Sequence, residues 1–207
     1  LTGANLDGVN LSGKDLTGTI LKGADLSNKD LTETILKGAD LTDVVLPNDY
    51  SFSGNNFQRT IFDGINLSGK DLSESSLWDT SFKNTNLEYT NLEHADFRAV
   101  DFTKIKNKSL AGSNLTDASF LLANLSGVNL SNVILAGTNF LQTDLSGLDF
   151  TVISKEISQG SVFMQANLTN SNFEGVNLSP KKEFSTVFRD IDIQLQDVPP
   201  EVWMEKH

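Results

Sequence analysis

Residues 1–46 read LTGANLDGVNLSGKDLTGTILKGADLSNKDLTETILKGADLTDVVL, with a Leu at the first position and at every fifth position after it. The same period continues to Leu178, with Phe in place of Leu at many positions. Three breaks interrupt it, at Pro47–Tyr50, Thr103–Ser109 and Thr151–Val162. The chain therefore has 34 repeat centres, and every one is Leu or Phe.

A five-residue period fits neither the 3.6 residues per turn of an α-helix nor the alternation of a β-strand. The centres can share one interior only if the chain bends after each of them. Gly often stands two residues after a centre, as at Gly8 and Gly23, and Asn, Asp or Ser often stands beside it. These residues tolerate tight bends. The pattern therefore predicts short straight sides that are joined by turns and wound into a prism.

Individual repeats resemble the A-[D/N]-L-x-x unit of pentapeptide-repeat proteins. The units that carry the resemblance include residues 4–8 (ANLDG), 24–28 (ADLSN) and 166–170 (ANLTN). The resemblance covers residues 1–179 and implies an all-β fold, a right-handed quadrilateral parallel β-helix with four pentapeptides in each coil. It also implies that the centre and the residue two before it point inward. At about 4.8 Å between coils, 34 repeats would give about eight and a half coils and a rod roughly 40 Å long.

The chain divides into a repeat solenoid, residues 1–179, and a nonrepetitive segment, residues 180–207. The period stops at Pro180, and the segment that follows is rich in apolar residues such as Phe184, Phe188 and Trp203. An end coil lacks a neighbour on one side and needs a cover. We therefore expect residues 180–207 to be a C-terminal cap. A tail, a linker to a following domain and a homodimer contact through this end are the alternatives.

Centres twenty residues apart should stack from coil to coil. This places Phe62, Phe82 and Phe102 in one column and Phe120 with Phe140 in another. Burying each Leu or Phe is worth about 1.5–3 kcal/mol, so the ladder of centres supplies a continuous core.

Charged residues at particular repeat positions lead to two further expectations. Three lysines occupy the small inward position, where an unpaired ammonium cannot be buried, so the corner must loosen or the side chain must extend outward. These are Lys14, Lys29 and Lys70. Four Asp residues that precede centres should lie on four different faces, which avoids stacking like charges. These are Asp15, Asp25, Asp30 and Asp40.

The composition excludes most kinds of catalytic chemistry. The chain has no Cys, which removes disulfides, thiolate metal sites, iron–sulfur ligation and thiol nucleophiles. It has only two His residues, which leaves little for metal or base chemistry. It has no phosphate-binding loop, dinucleotide fingerprint, metalloprotease motif or nucleophile elbow. We therefore expect no enzymatic activity, no cofactor and no metal.

Charge and hydropathy narrow the choice of partners. Acidic residues outnumber basic ones by 27 to 16, which gives a net charge of −11. This is the wrong sign for direct nucleic-acid binding. No apolar run reaches the roughly 18 to 20 residues of a membrane span, so we expect a soluble chain that does not bind a membrane.

The family resemblance permits a DNA mimic that occupies a type II topoisomerase such as DNA gyrase. Duplex DNA carries about 0.6 charges per Å, whereas this chain offers about 0.3 per Å over roughly 40 Å. Residues 103–150 carry as many basic as acidic residues, so a neutral segment separates the acidic segments on either side of it. The sequence therefore favours a protein-interaction or structural scaffold with a protein partner, and the DNA mimic is the alternative.

Breaks in a repeat array tend to become loops, and such loops often bind partners. Insertions that are tolerated without a role are the alternative for each break. Trp78 follows the centre Leu77 and should point outward as a contact anchor, or it packs under a neighbouring loop. The candidate partner contacts are Tyr50, Trp78, Lys104, Lys106, Lys108, Lys155, Glu156 and Trp203.

Overall fold

The structure is a computed structural model that describes residues 1–2, 6–48, 50–153, 161–174 and 176. Over these residues the chain winds into a right-handed four-sided parallel β-helix, as the sequence predicts. The cap predicted for residues 180–207 lies outside the described residues.

Each side of a coil ends in a β-turn that starts at a repeat centre. The amide of Val9 donates to the carbonyl of Leu6 over 2.9 Å, and the same bond follows Leu21 and Phe62. In most repeats the residue two after the centre has a positive φ, as at Gly8 (71°). A positive φ at this position alone defines a type II turn, in which glycine is favoured. This explains why glycine recurs two residues after the centres.

Adjacent coils pair through the residue that precedes each centre. Asn66 and Asn86, twenty residues apart, form one parallel bridge, and Asn91 pairs with Asn114 across the first insertion. Within the described ranges these pairings are isolated bridges rather than longer strands. The helices there are two short 3₁₀ helices, Phe102–Lys104 and Lys106–Lys108.

The hydrogen bonds between coils align the centres in four columns. Column 1 contains Leu6, Leu26, Leu46, Leu67, Leu87, Leu110, Leu130, Phe150 and Phe173. Column 2 contains Leu11, Leu31, Phe52, Leu72, Leu92, Leu115 and Leu135. Column 3 contains Leu16, Leu36, Phe57, Leu77, Phe97, Phe120, Phe140 and Phe163. Column 4 contains Leu21, Leu41, Phe62, Phe82, Phe102, Leu125, Leu145 and Leu168.

We number the outer faces 1 to 4 after the column behind each of them. A face carries the residue before each centre and the two residues after it. The remaining residue of each pentapeptide lies at the edge between two faces and points inward. Faces 1 and 3 are opposite each other, as are faces 2 and 4.

The core is a filled column of aliphatic and aromatic side chains. Phe62 and Phe82 stack with ring centroids 5.7 Å apart, and Phe82 and Phe102 with centroids 6.4 Å apart. Phe120 stacks on Phe140 at 5.5 Å. The predicted aromatic columns are therefore confirmed.

Hydroxyl side chains at the inward edge position bind main-chain carbonyls of the preceding coil. The hydroxyl of Thr85 donates to the carbonyl of Phe62 over 2.6 Å, and that of Thr34 donates to the carbonyl of Leu11 over 2.9 Å. Many other Thr and Ser residues at this position do the same. Each such bond adds a second donor to a buried carbonyl that already accepts a turn amide, as the carbonyl of Phe62 does from Ile65.

The lysines at this position adopt two solutions. Lys14 is exposed, as one of the predicted outcomes requires. Lys29 and Lys70 are half-buried, and their ammonium groups each donate to a main-chain carbonyl over 2.6 Å, that of Leu6 and that of Asn48. A long cationic side chain thus takes the kind of acceptor that a Thr hydroxyl takes elsewhere.

Candidate interaction surfaces

Tyr50 lies at the phase slip, where the edge between faces 1 and 2 is distorted. Its ring packs edge-on against Phe52 with centroids 4.7 Å apart, and its hydroxyl donates to Oδ1 of Asn55 over 3.2 Å. Burial raises the pKa of the Tyr50 hydroxyl. The residue lines an open groove of about 810 Å³, together with residues 27–33 of the coil below. Tyr50 is therefore fixed by its contacts with Phe52 and Asn55 and forms one wall of the groove.

Trp78 lies on face 3 and is half-buried. The guanidinium of Arg59 sits 4.8 Å from the centroid of its ring, a cation–π contact. Nε of Arg59 also lies 3.5 Å from a carboxylate oxygen of Asp79. Trp78 faces outward, as expected, but the Arg59 side chain covers part of its ring.

The first insertion projects from the edge between faces 4 and 1. Its main chain is bound to the preceding coil, because the amide of Asn84 donates to the carbonyl of Lys104 and the amide of Lys106 donates to that of Thr85, both over 2.9 Å. The candidate contacts Lys104, Lys106 and Lys108 are all exposed. The insertion therefore presents three cations on a fixed backbone. The other predicted contacts, Lys155, Glu156 and Trp203, lie outside the described residues.

The structure sorts charge by face in a way that the summed charge along the chain conceals. Among the described residues, faces 1 and 2 carry many carboxylates, and the edge between them carries two lysines whose ammonium groups are bound to carbonyls. The carboxylates are those of Asp7, Asp25, Asp30, Glu33, Asp71, Glu74, Glu88, Glu93, Asp117, Asp149 and Glu174. We call these two faces the acidic side.

Face 3 has no such excess, because its acidic and basic residues are balanced. Nη2 of Arg98 lies 2.6 Å from a carboxylate oxygen of Asp96 on the same coil. The exposed lysines of the first insertion project from the edge between faces 4 and 1, so they border face 1 but not face 2. The neutral sum over residues 103–150 therefore combines lysines at one edge with carboxylates on three other surfaces.

The four Asp residues near the N-terminus are separated as predicted. Asp15, Asp25 and Asp40 form bridges with apolar residues of adjacent coils, namely Ile35, Val45 and Ile20. A hydroxyl group two residues later donates to the carboxylate of Asp15, and the amide of the same residue donates to it as well, so the pKa of Asp15 is lowered. The same arrangement lowers the pKa values of Asp25, Asp30 and Asp40. These carboxylates stabilise turns.

The C-terminal half of face 3 carries an apolar strip that the sequence analysis missed. Leu121, Leu141 and Met164 each follow a Phe centre in three successive coils and are half-buried. Leu122 beside them is 59% exposed. The amide of Leu122 donates to the carbonyl of Leu141 over 3.3 Å, which fixes their vertical register. The signal was present in the sequence, because the residue after a centre is polar in most other repeats.

Neither a metal-binding cluster nor a membrane-spanning helix occurs in the part of the chain that the structure describes. No group of three or more His, Asp or Glu residues there could hold a metal ion. No helix in the same part is long and apolar enough to cross a lipid bilayer.

Sequence comparison matches nearly the whole repeat array. Residues 55–130 match the family described as a pentapeptide repeat region. Residues 1–38, 15–48, 123–151 and 159–179 match the family described as pentapeptide repeats (8 copies). No curated protein sequence shows significant similarity to the chain.

Solved structures show the same fold. A trypsin-treated variant of QnrB1, a plasmid-mediated fluoroquinolone resistance protein, is 20% identical, with 79% of this chain and 76% of that chain covered and a TM-score of 0.53. HetL from the cyanobacterium Nostoc sp. strain PCC 7120, a pentapeptide-repeat protein involved in heterocyst differentiation regulation, is 21% identical over 79% of this chain and 82% of that chain, with a TM-score of 0.27. At these identities the likeness to QnrB1 supports the fold alone, and the likeness to HetL carries no argument.

Proposed function

Because the chain belongs to the pentapeptide-repeat family, we propose that it is a non-catalytic protein-interaction scaffold that binds a basic protein surface through its acidic side. The observation that carries the proposal is the segregation of charge. The described residues of faces 1 and 2 include eleven carboxylates and no Lys or Arg, and the two lysines on the edge between these faces are bound to main-chain carbonyls. A rigid scaffold with charge on one side orients a partner and speeds its association.

The test compares two variants of equal net charge. Glu33→Gln/Glu74→Gln/Glu88→Gln neutralises exposed or half-buried groups of the acidic side. The control removes three charges from face 4 and keeps an oxygen acceptor at each position, and it consists of Asp43→Asn, Asp101→Asn and Asp144→Asn.

The immobilised chain and both variants are incubated with an extract of the source organism, and the bound proteins are quantified by mass spectrometry. Exposed ion pairs are each worth about 0.2–1 kcal/mol, so losing three should weaken capture about tenfold. We expect at least one protein that the parent chain and the face 4 control retain and the acidic-side variant loses. If every retained protein is held equally by both variants, the proposal is wrong.

The acidic side also favours a second candidate, a DNA mimic that occupies a type II topoisomerase. Its carboxylates amount to about 0.3 per Å along roughly 40 Å, about half the density of duplex DNA. The coil that contains Leu130 and Leu135 contributes none on the described residues of faces 1 and 2. A supercoiling assay with purified gyrase separates the candidates. Potent inhibition that weakens with salt supports the mimic, and no inhibition at micromolar protein supports the scaffold.

A further inference from the structure

The apolar strip of face 3 lies at the level where the described chain ends. Phe163 is the last described centre of column 3, and Met164 of the strip follows it directly. Val176, the last described residue, lies three residues after Phe173 of column 1. By the repeat period of the sequence, Leu178 would fall on column 2, and the chain beyond Pro180 would then reach the edge that borders face 3.

The segment after Pro180 has the sequence to cover this strip. Phe184, Val187, Phe188 and Ile191 are spaced i, i+3, i+4 and i+7, which is typical of the apolar face of a helix. At 1.5 Å per residue, a helix from 184 to 191 would be about 10 Å long. Met164 and Leu121 are two coils apart, which is also about 10 Å at 4.8 Å per coil.

We propose that residues 184–191 of the chain's own C-terminal segment pack against the apolar strip of face 3. A tether of a few residues gives the segment an effective concentration in the millimolar range, so a contact of modest size is populated. This arrangement would leave residues 192–207, which include Val198 and Trp203, to cover the end of the last coil. This assignment is independent of the acidic side.

A second copy of the chain fits the strip less well. Leu121, Leu122, Leu141 and Met164 span only about 10 Å of the rod, whereas a stable interface buries about 800 Å² on each partner. Two chains of net charge −11 would also repel each other as they approached. Occupation by a second copy is therefore an outcome that the test must distinguish.

The absence of cysteine allows a direct crosslinking test on the full chain. Leu141→Cys is combined with Val187→Cys, and the control combines Ser131→Cys with Val187→Cys. Ser131 has the same repeat position in the same coil as Leu141, but it lies on the opposite face. Disulfide formation under mild oxidation is followed on non-reducing gels and by mass spectrometry of the linked peptides.

We expect the 141–187 pair to form an intramolecular disulfide at least fivefold faster than the 131–187 pair. Similar rates for the two pairs, or no intramolecular disulfide from either pair, would overturn the proposal. Disulfide-linked dimers of the 141–187 chain would overturn it as well, because they would assign the strip to a second copy.

A second measurement leaves the segment without cysteines. Leu122→Glu places a charge in the strip, and Asn132→Glu places the same charge on face 1 at a position with a similar φ, 57° against 61°. Tryptic cleavage after Arg189 should become about tenfold faster in Leu122→Glu and stay unchanged in Asn132→Glu. Equal cleavage of both variants contradicts the proposed contact.

Discussion

Replacing Phe120 with Ala removes the central ring of an aromatic stack. Phe120 is fully buried, and its ring centroid lies 5.2 Å from that of Phe97, 5.4 Å from that of Phe102 and 5.5 Å from that of Phe140. The coil-to-coil hydrogen bonds hold the backbone in place, so the walls cannot close around the space. Buried Phe→Ala changes cost about 3–5 kcal/mol, and we expect about 4 kcal/mol here.

The assay is urea unfolding followed by far-ultraviolet circular dichroism. With a slope of about 3 kcal/mol per molar urea for a chain of this size, the midpoint should fall by about 1.3 M. Ile20→Ala is the control, because Ile20 is 54% exposed and lies on face 4, and its midpoint should move by less than 0.2 M, or about 0.5 kcal/mol. A loss below about 1 kcal/mol in Phe120→Ala, or equal losses in the two variants, would show that the centres do not form a tight core.

Three other changes probe the turns, the edges and the carboxylates. Gly127→Ala forces a Cβ into a positive φ and should cost about 1 kcal/mol, whereas Gly137→Ala should cost more because its Cβ would also meet the carboxylate of Asp117; thermal unfolding that ranks them in the reverse order would contradict this. Thr85→Val removes the hydroxyl donor from the buried carbonyl of Phe62, which keeps the turn amide of Ile65, and should cost about 0.5–1.5 kcal/mol; an unchanged urea midpoint would count against that role. The pKa values of four Asp residues are lowered in the fold, so the free energy of unfolding is greatest above their ordinary pKa of 3.8 and falls as the pH drops through and below that value. The Asp→Asn variants at Asp15, Asp25, Asp30 and Asp40 should lose less stability in acid when the urea midpoint is measured as a function of pH. A slope identical to that of the parent chain would contradict the assignment.

The fold was predictable because one rule covers nearly every residue. Stacking of Phe62 on Phe82 follows from a coil of twenty residues, and the position of Gly8 follows from the turn. The hydrogen bond of the Lys29 ammonium group could not be predicted in the same way, because it requires a carbonyl of the preceding coil, that of Leu6, to lie within reach. The positive φ of Leu122 was equally hard to foresee, since most turns impose it on the residue two after a centre, whether or not that residue is glycine.

The candidate surfaces were predicted less well, because a net charge for each segment of the sequence does not show how the charges are distributed among the four faces. Once the three-residue insertion after Phe102 is counted, Asp71, Glu93 and Asp117 fall on one face, and Lys104 falls on another. The apolar strip needed the same step, since Leu121 and Leu141 are twenty residues apart and adjacent in space. Trp78 was placed correctly on the outside, but its contact with Arg59 depends on neighbouring coils.

The central claim is that each coil advances the chain by one backbone spacing, and a pair of electron-spin distances tests it most directly. Nitroxides on Asp25→Cys and Asn129→Cys, both on face 1 and five coils apart, should lie about 24 Å from each other. Moving the second label from Asn129 to Asp149 adds one coil and should add about 5 Å. Equal distances, or a separation well above 35 Å for either pair, would contradict the account.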